Sequence, residues 1–174
     1  MDRCNRLFEA DWSPQSRIAG VLDAVADITG FVRGAVVLLK EGCGRPMLYA
    51  RTRGKKPDQD LAADTRTVQR IVASDDMIGV VRSVLIESGN IVLEDVFDNG
   101  TYIAADAAVR SEACVPLVIR GQTIGALNFE STQPRAFEHE DLTLFKTLAT
   151  QIALTVELSG ARQSLGRMAV VRPQ

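Results

Sequence analysis

Apolar residues in this chain recur at two different spacings, and the alternation between the two sets out its elements. Ile18, Leu22, Val25 and Ile28 keep a helical spacing. Ser13-Pro14 precedes them: serine can accept a bond from an orphan amide, and proline tolerates the first helical position. Gly30 can end such a helix in a left-handed conformation, so the pattern predicts a helix over 14–29. Ala35 to Leu39 is a short β-prone run, broken by Gly42, Gly44 and Pro46, and Leu48 to Thr52 can pair back on it as a hairpin. Arg51, Arg53, Lys55 and Lys56 at its far end read as a solvated loop before an anion site.

Residues 55–62 are polar, and Val68, Ile71 and Val72 predict a short helix over 65–73. Ser74-Asp75-Asp76 is a capping cluster, followed by Met77, Val80, Val81, Val84 and Leu85 on one helical face, with Gly89-Asn90 closing the helix. Ile91 to Leu93 is the next strand and leads into Asp95. Residues 97–109 have no period and contain Asp98-Asn99-Gly100; an irregular stretch of this kind serves as a binding loop or lid.

Ala113–Ile119 and Thr123–Ser131 form a hairpin joined at Arg120-Gly121. A last helix starts near 138 with Glu138, Glu140 and Asp141 at its positive dipole end. Leu142, Phe145, Ala149, Ile152 and Val156 give it an apolar stripe that suits core packing or a partner helix. The tail, 165–174, reads as disordered. These elements predict a lead-in over 1–12, one domain over 13–160 and a tail over 161–174. The architecture is α+β: a central antiparallel sheet of five to six strands, with the terminal helices on one face and the middle helices plus the loop on the other.

Composition narrows the job. The chain has 174 residues, 46% hydrophobic and 24% charged, enough for one core that buries roughly 70% of the unfolded surface. A net charge of −2 argues against general nucleic-acid affinity. No run reaches the ~20 apolar residues of a membrane span, and the N-terminus lacks a signal peptide's apolar core, so a cytoplasmic protein is expected. Cys4, Cys43 and Cys114 are too far apart for a metal or redox pair.

Arg110-Ser111-Glu112-Ala113-Cys114-Val115-Pro116-Leu117, Ile124-Gly125-Ala126-Leu127 and the helix start at Phe137–Leu142 resemble, in order, segments of the GAF domain family. The resemblance implies a small-molecule receptor whose ligand lies between sheet and middle helices, under a roof of residues 64–110. Strand alternation puts Ile124, Ala126, Asn128 and Glu130 on one face and Leu127 and Phe129 on the other; Glu112 and Cys114 share a face of the preceding strand. Tyr102, Arg110, Glu112, Cys114, Asn128 and Glu130 are the candidate ligand-binding residues. Competing roles are plain too: an ion-pair strut for Arg110, an anchoring ring for Tyr102, a local pair for Glu112 and a strand end for Glu130. His139 reads as a surface residue, and Trp12 as an anchor for the first helix.

The expected protein is a non-catalytic sensor or regulatory domain, a homodimer through its terminal helices, that signals to an output domain or partner protein. The free-methionine-sulfoxide reductase branch offers an enzymatic alternative, but its thiol position corresponds to Ala105, leaving Cys114 as a thiol with no catalytic neighbour beyond Arg110. A dimerisation module without ligand is the third reading. No bound cofactor is expected: the loop has no cysteine–histidine pair for a bilin, and His139 is at the wrong end for haem.

Overall fold

Pro14 opens α1, which runs Pro14–Thr29 with the proline at its first helical position, where its missing N–H costs nothing. Ile18, Val21, Leu22 and Val25 are fully buried along one side of it. The molecule is a computed structural model that describes residues 14–29, 31–39, 47–52, 79–100, 102 and 106–170. The lead-in, Trp12, the 65–73 helix, the Ser74–Asp76 cap and Met77 lie outside those residues.

After α1 come β1 (Arg33–Leu38), β2 (Met47–Thr52), α2 (Val80–Glu87), β3 (Ile91–Leu93), β4 (Ser111–Ile119), β5 (Gln122–Ser131) and α3 (His139–Val170). Among the described residues five strands form one sheet in the order β2-β1-β5-β4-β3, antiparallel at every pairing. The β4–β5 turn uses Arg120 (φ 48°) and Gly121 (φ 79°), the double positive φ of a tight primed turn.

Each strand presents its two sides to different layers. Val36, Leu117, Leu127 and Phe129 point to α1 and α3, which together seal that face. Phe129 stands between two rings, 4.7 Å from Phe31 and 4.2 Å from Phe145, centroid to centroid. Gly34 is required beneath this cluster: a Cβ there would sit 2.8 Å from the Phe31 ring. Val37, Cys114 and Ala126 point the other way, to Val81 and Val84 of α2. The terminal helices therefore cover one face and the middle helix the other, as the order of elements predicts.

Local boundaries differ where a partner strand or cap decides them. β1 starts at Arg33, two residues before its apolar run, because Arg33 and Gly34 pair with Glu130 and Phe129 of β5. α2 is closed by Ser88, not Gly89-Asn90: Ser88 takes the left-handed conformation (φ 56°), donates its N–H to Val84 O, and its hydroxyl meets Thr123 Oγ1 at 2.6 Å. α3 continues to Val170, past the expected boundary at 160 and into the stretch read as a disordered tail. At its start the Asp141 carboxylate accepts the Glu138 N–H at 2.8 Å, half of a capping box.

The loop after β3 has its own order. The Asp95 side chain caps a turn of 3₁₀ helix at Val96–Asp98 by accepting from Phe97 N. Asp106 accepts from Ala108 N at 2.9 Å, which folds the approach to β4.

Candidate ligand site

Two cross-strand rows build the site. In one, Glu112 of β4 is directly opposite Glu130 of β5, with Arg33 of β1 next to Glu130 and Leu93 of β3 next to Glu112. In the other, Cys114 is opposite Asn128, flanked by Ala35 and Ile91. Alternation puts both rows on the face that carries α2. α2 covers the Cys114 and Ala126 end, so the face grades from an apolar half into a polar half. Glu112, Cys114, Asn128 and Glu130 are 4%, 0%, 5% and 6% exposed. The structure brings these four together on one face of the sheet.

Arg33 is the member that the sequence reading missed. Its guanidinium lies 3.4 Å from the Glu130 carboxylate and 3.8 Å from Asp106, and its side chain is 13% exposed. The available signal was its alternation with Ala35 and Val37, but the β1–β5 pairing that makes it meaningful is between residues almost a hundred positions apart.

Glu112 is a buried carboxyl beside another carboxyl. Burial, then the Glu130 charge, push its pKa up to about 8, against smaller opposing effects of a hydrogen bond from Asn128 and of Arg33. Glu112 is therefore mostly the neutral acid at neutral pH. The Tyr102 phenol is also pushed well up, first by burial and then by the charges of Glu112 and Glu130. The Tyr102 hydroxyl and the Asn128 Oδ1 are both buried and find no hydrogen-bond partner among the described residues.

Arg110 does not join the cluster. It is ion-paired with Asp95, its Nε donating to Asp95 Oδ1 at 3.3 Å, and it lies over the Phe97 ring at 4.8 Å. The Arg110 hydrogen bond holds the Asp95 carboxyl below its usual range. Arg110 thus ties the loop after β3 to the start of β4, the geometry of an ion-pair strut. His139 is exposed at the start of α3. The Cys114 thiol is fully buried and pushed well up by burial and by both glutamates, so it stays protonated and is not a nucleophile in this state. Ala105 lies outside the described residues. Among the described residues no group of His, Cys, Asp and Glu side chains could hold a metal ion, and no helix is long and apolar enough to cross a membrane.

An antiparallel sheet sealed by terminal helices on one face, with a buried polar floor on the other, is the arrangement of a small-molecule-sensing domain family. The chain belongs to that family: the GAF domain model matches residues 13–157. It is similar to the free methionine-R-sulfoxide reductase of Escherichia coli (strain K12), 40% identical over 60 residues; the match spans 34% of this chain and 36% of that protein. Among solved structures, the GAF domain of an Acinetobacter phosphoenolpyruvate-protein phosphotransferase aligns with a TM-score of 0.72 at 20% identity, covering 92% of this chain and 93% of that one. The type II free methionine-R-sulfoxide reductase of Thermoplasma acidophilum aligns with a TM-score of 0.64 at 19% identity, covering 82% of this chain and 92% of that one. At these identities the structural likeness speaks for the fold alone.

Proposed function

We propose that this domain is a receptor for a small molecule, held between the sheet and α2 under the 97–109 loop, and that it has no catalytic role. The observation that carries the reading is the pair of buried, unpartnered polar atoms, Tyr102 Oη and Asn128 Oδ1, beside the Glu112–Glu130 pair. Buried polar groups are normally hydrogen-bonded, and orphaned ones in a site are groups a ligand can satisfy.

Binding is passed on through β5. Asn128 and Glu130 face the ligand while Phe129 between them is held by Phe31 and Phe145 on the opposite side. Two arrangements of β5 with unequal ligand affinity would bias α1 and α3, and through them an output domain or partner protein in the cytoplasm. We expect a homodimer through the terminal helices; Leu154 and Leu158 of α3, 45% and 63% exposed, form an apolar edge available to it.

The similarity to methionine sulfoxide reductases favours a second reading, thiol redox chemistry in the same site. The protonated, cation-free Cys114 and the alanine at position 105 weigh against it. A thermal-shift screen of amino acids, nucleotides and aromatic acids tests the receptor reading. A compound at 100 times its Kd adds about 2.7 kcal/mol of stability, a rise of several degrees. No response from any compound class, with free-methionine-sulfoxide turnover instead, would favour the enzyme.

A further inference from the structure

The buried charges of the site already cancel. Glu130 faces the Arg33 guanidinium at 3.4 Å, and both side chains are nearly enclosed. Asp106, the other acid near Arg33, is 49% exposed, so water screens most of its charge. Glu112 lies opposite Glu130 on the neighbouring strand, with Asn128 as its hydrogen-bond donor. Two carboxylates in adjacent buried positions cannot both ionise without severe repulsion, and Arg33 is paired with Glu130, so Glu112 is the member that keeps its proton. Glu130, Asn128 and Arg33 are the groups that act on Glu112; Arg82 and Glu87, the charged residues of α2, are not among them. Around the pair stand Cys114 on the same strand and Tyr102 and Asp106 from the loop, the first two uncharged.

Among the described residues that act on Glu112, Arg33 is the cation and it already faces Glu130, so a charged ligand group placed here would have to compete with that pair or change the charge of Glu112. Hydrogen-bond partners are what the site lacks. Asn128 Oδ1 can only accept. The Tyr102 phenol keeps its proton and can donate. The acid form of Glu112 has one O–H to give and one carbonyl oxygen to offer.

Resting on the receptor reading above, we propose that the site takes an uncharged amide or lactam group, whose N–H is accepted by Asn128 Oδ1 and whose carbonyl oxygen receives the Tyr102 hydroxyl and the acid form of Glu112. Such a group supplies one donor and one acceptor, the hydrogen-bonding types that Asn128 Oδ1 and the Tyr102 hydroxyl call for. A carboxylate would press against Glu130. An ammonium or amidinium would have to displace Arg33 or strip the proton from Glu112. Because one donor is a titrating acid, amide affinity is full while Glu112 holds its proton and declines above its titration to the level that Asn128 and Tyr102 alone support.

The test is an NMR titration of the full chain with three probes of one shape, benzamide, benzoate and benzamidinium, together with 2-pyrrolidinone. It is run at neutral and at alkaline pH, on the wild type and on Glu112→Gln. The expected result is that benzamide or 2-pyrrolidinone binds and moves the Asn128 side-chain amide signals, while both charged probes bind at least tenfold more weakly. Wild-type affinity for the amide declines at alkaline pH. Glu112→Gln, which keeps an uncharged donor and acceptor but cannot titrate, loses that decline.

Tighter binding of benzoate or benzamidinium at these residues overturns the amide assignment and leaves the receptor reading standing. Binding of none of the four at millimolar concentration, together with no hit in the broad thermal-shift screen, overturns both. A wild-type pH profile that survives in Glu112→Gln overturns the role given to Glu112. Should that variant fail to fold, the wild-type comparison of benzamide with benzoate across pH decides the matter alone.

Discussion

Glu112 and Glu130 face one another as a direct register pair of β4 and β5, 4% and 6% exposed, on the sheet surface that α1 and α3 leave uncovered. A folded domain gains no stability from such a pair, since each carboxyl raises the cost of ionising the other. Its presence, with Arg33 and Asn128 drawn in beside it, marks a place where stability has been traded for a polar surface.

That trade has a pH signature. In the unfolded chain Glu112 ionises at its ordinary 4.5; in the fold its pKa lies at about 8. Between those values the folded state holds the extra proton, so raising the pH favours unfolding. Stability from this residue is greatest below the unfolded value, declines through the window and is flat above about 8. The total loss is at most about 5 kcal/mol. Urea denaturation of the wild type should show the decline, and Glu112→Gln should remove it and be the more stable protein at pH 8.

Arg33 is the cation on which Glu130 depends. Arg33→Ala leaves that carboxylate buried without its counter-charge and should cost about 1–3 kcal/mol in chemical denaturation at neutral pH. Arg33→Met combined with Glu130→Gln removes both charges and should recover most of the loss. Additive rather than compensating effects in that double-mutant cycle would show that the two residues are not coupled.

Phe129 joins the site strand to the terminal helices. Phe129→Ala empties the space between Phe31 and Phe145 and should cost about 3–5 kcal/mol, measured as a lowered urea midpoint. Phe129→Leu should cost less and keep the fold, while weakening any ligand-induced change seen at α3 by hydrogen exchange.

Cys114 should be chemically silent. In a Cys4→Ser, Cys43→Ser background it is the one remaining thiol, and at neutral pH it should resist iodoacetamide until the chain is unfolded. Rapid labelling of the native protein would contradict the buried, protonated state described for it.

Much of this was legible from residues alone because local pattern and the deciding physics agreed. The alternation of Leu127, Asn128, Phe129 and Glu130 fixes which side chains meet the terminal helices and which meet the site, but the exact pairing of Glu112 with Glu130 also depends on a one-residue register shift at Leu117/Val118, which the Arg120-Gly121 turn does not reveal. Arg33 was not legible, because its role comes from pairing β1 with β5, a long-range choice that no local signal carries. Arg110 was legible only as an alternative between strut and ligand contact; the decision belongs to Asp95, fifteen positions away and brought close by the loop. The end of α2 at Ser88 depended on Thr123 of another strand. The length of α3 exceeded its sheet-facing stripe, since a helix can continue where packing against the sheet has stopped.

The most direct test of the receptor account is the melting temperature of the wild type and of Asn128→Leu, each with and without the compound that most stabilises the wild type. Leucine is close to asparagine in size but offers no acceptor. The account predicts that the unliganded variant melts within a few degrees of the wild type and that the compound no longer raises its melting temperature. An undiminished rise in Asn128→Leu would place the ligand elsewhere and contradict the account.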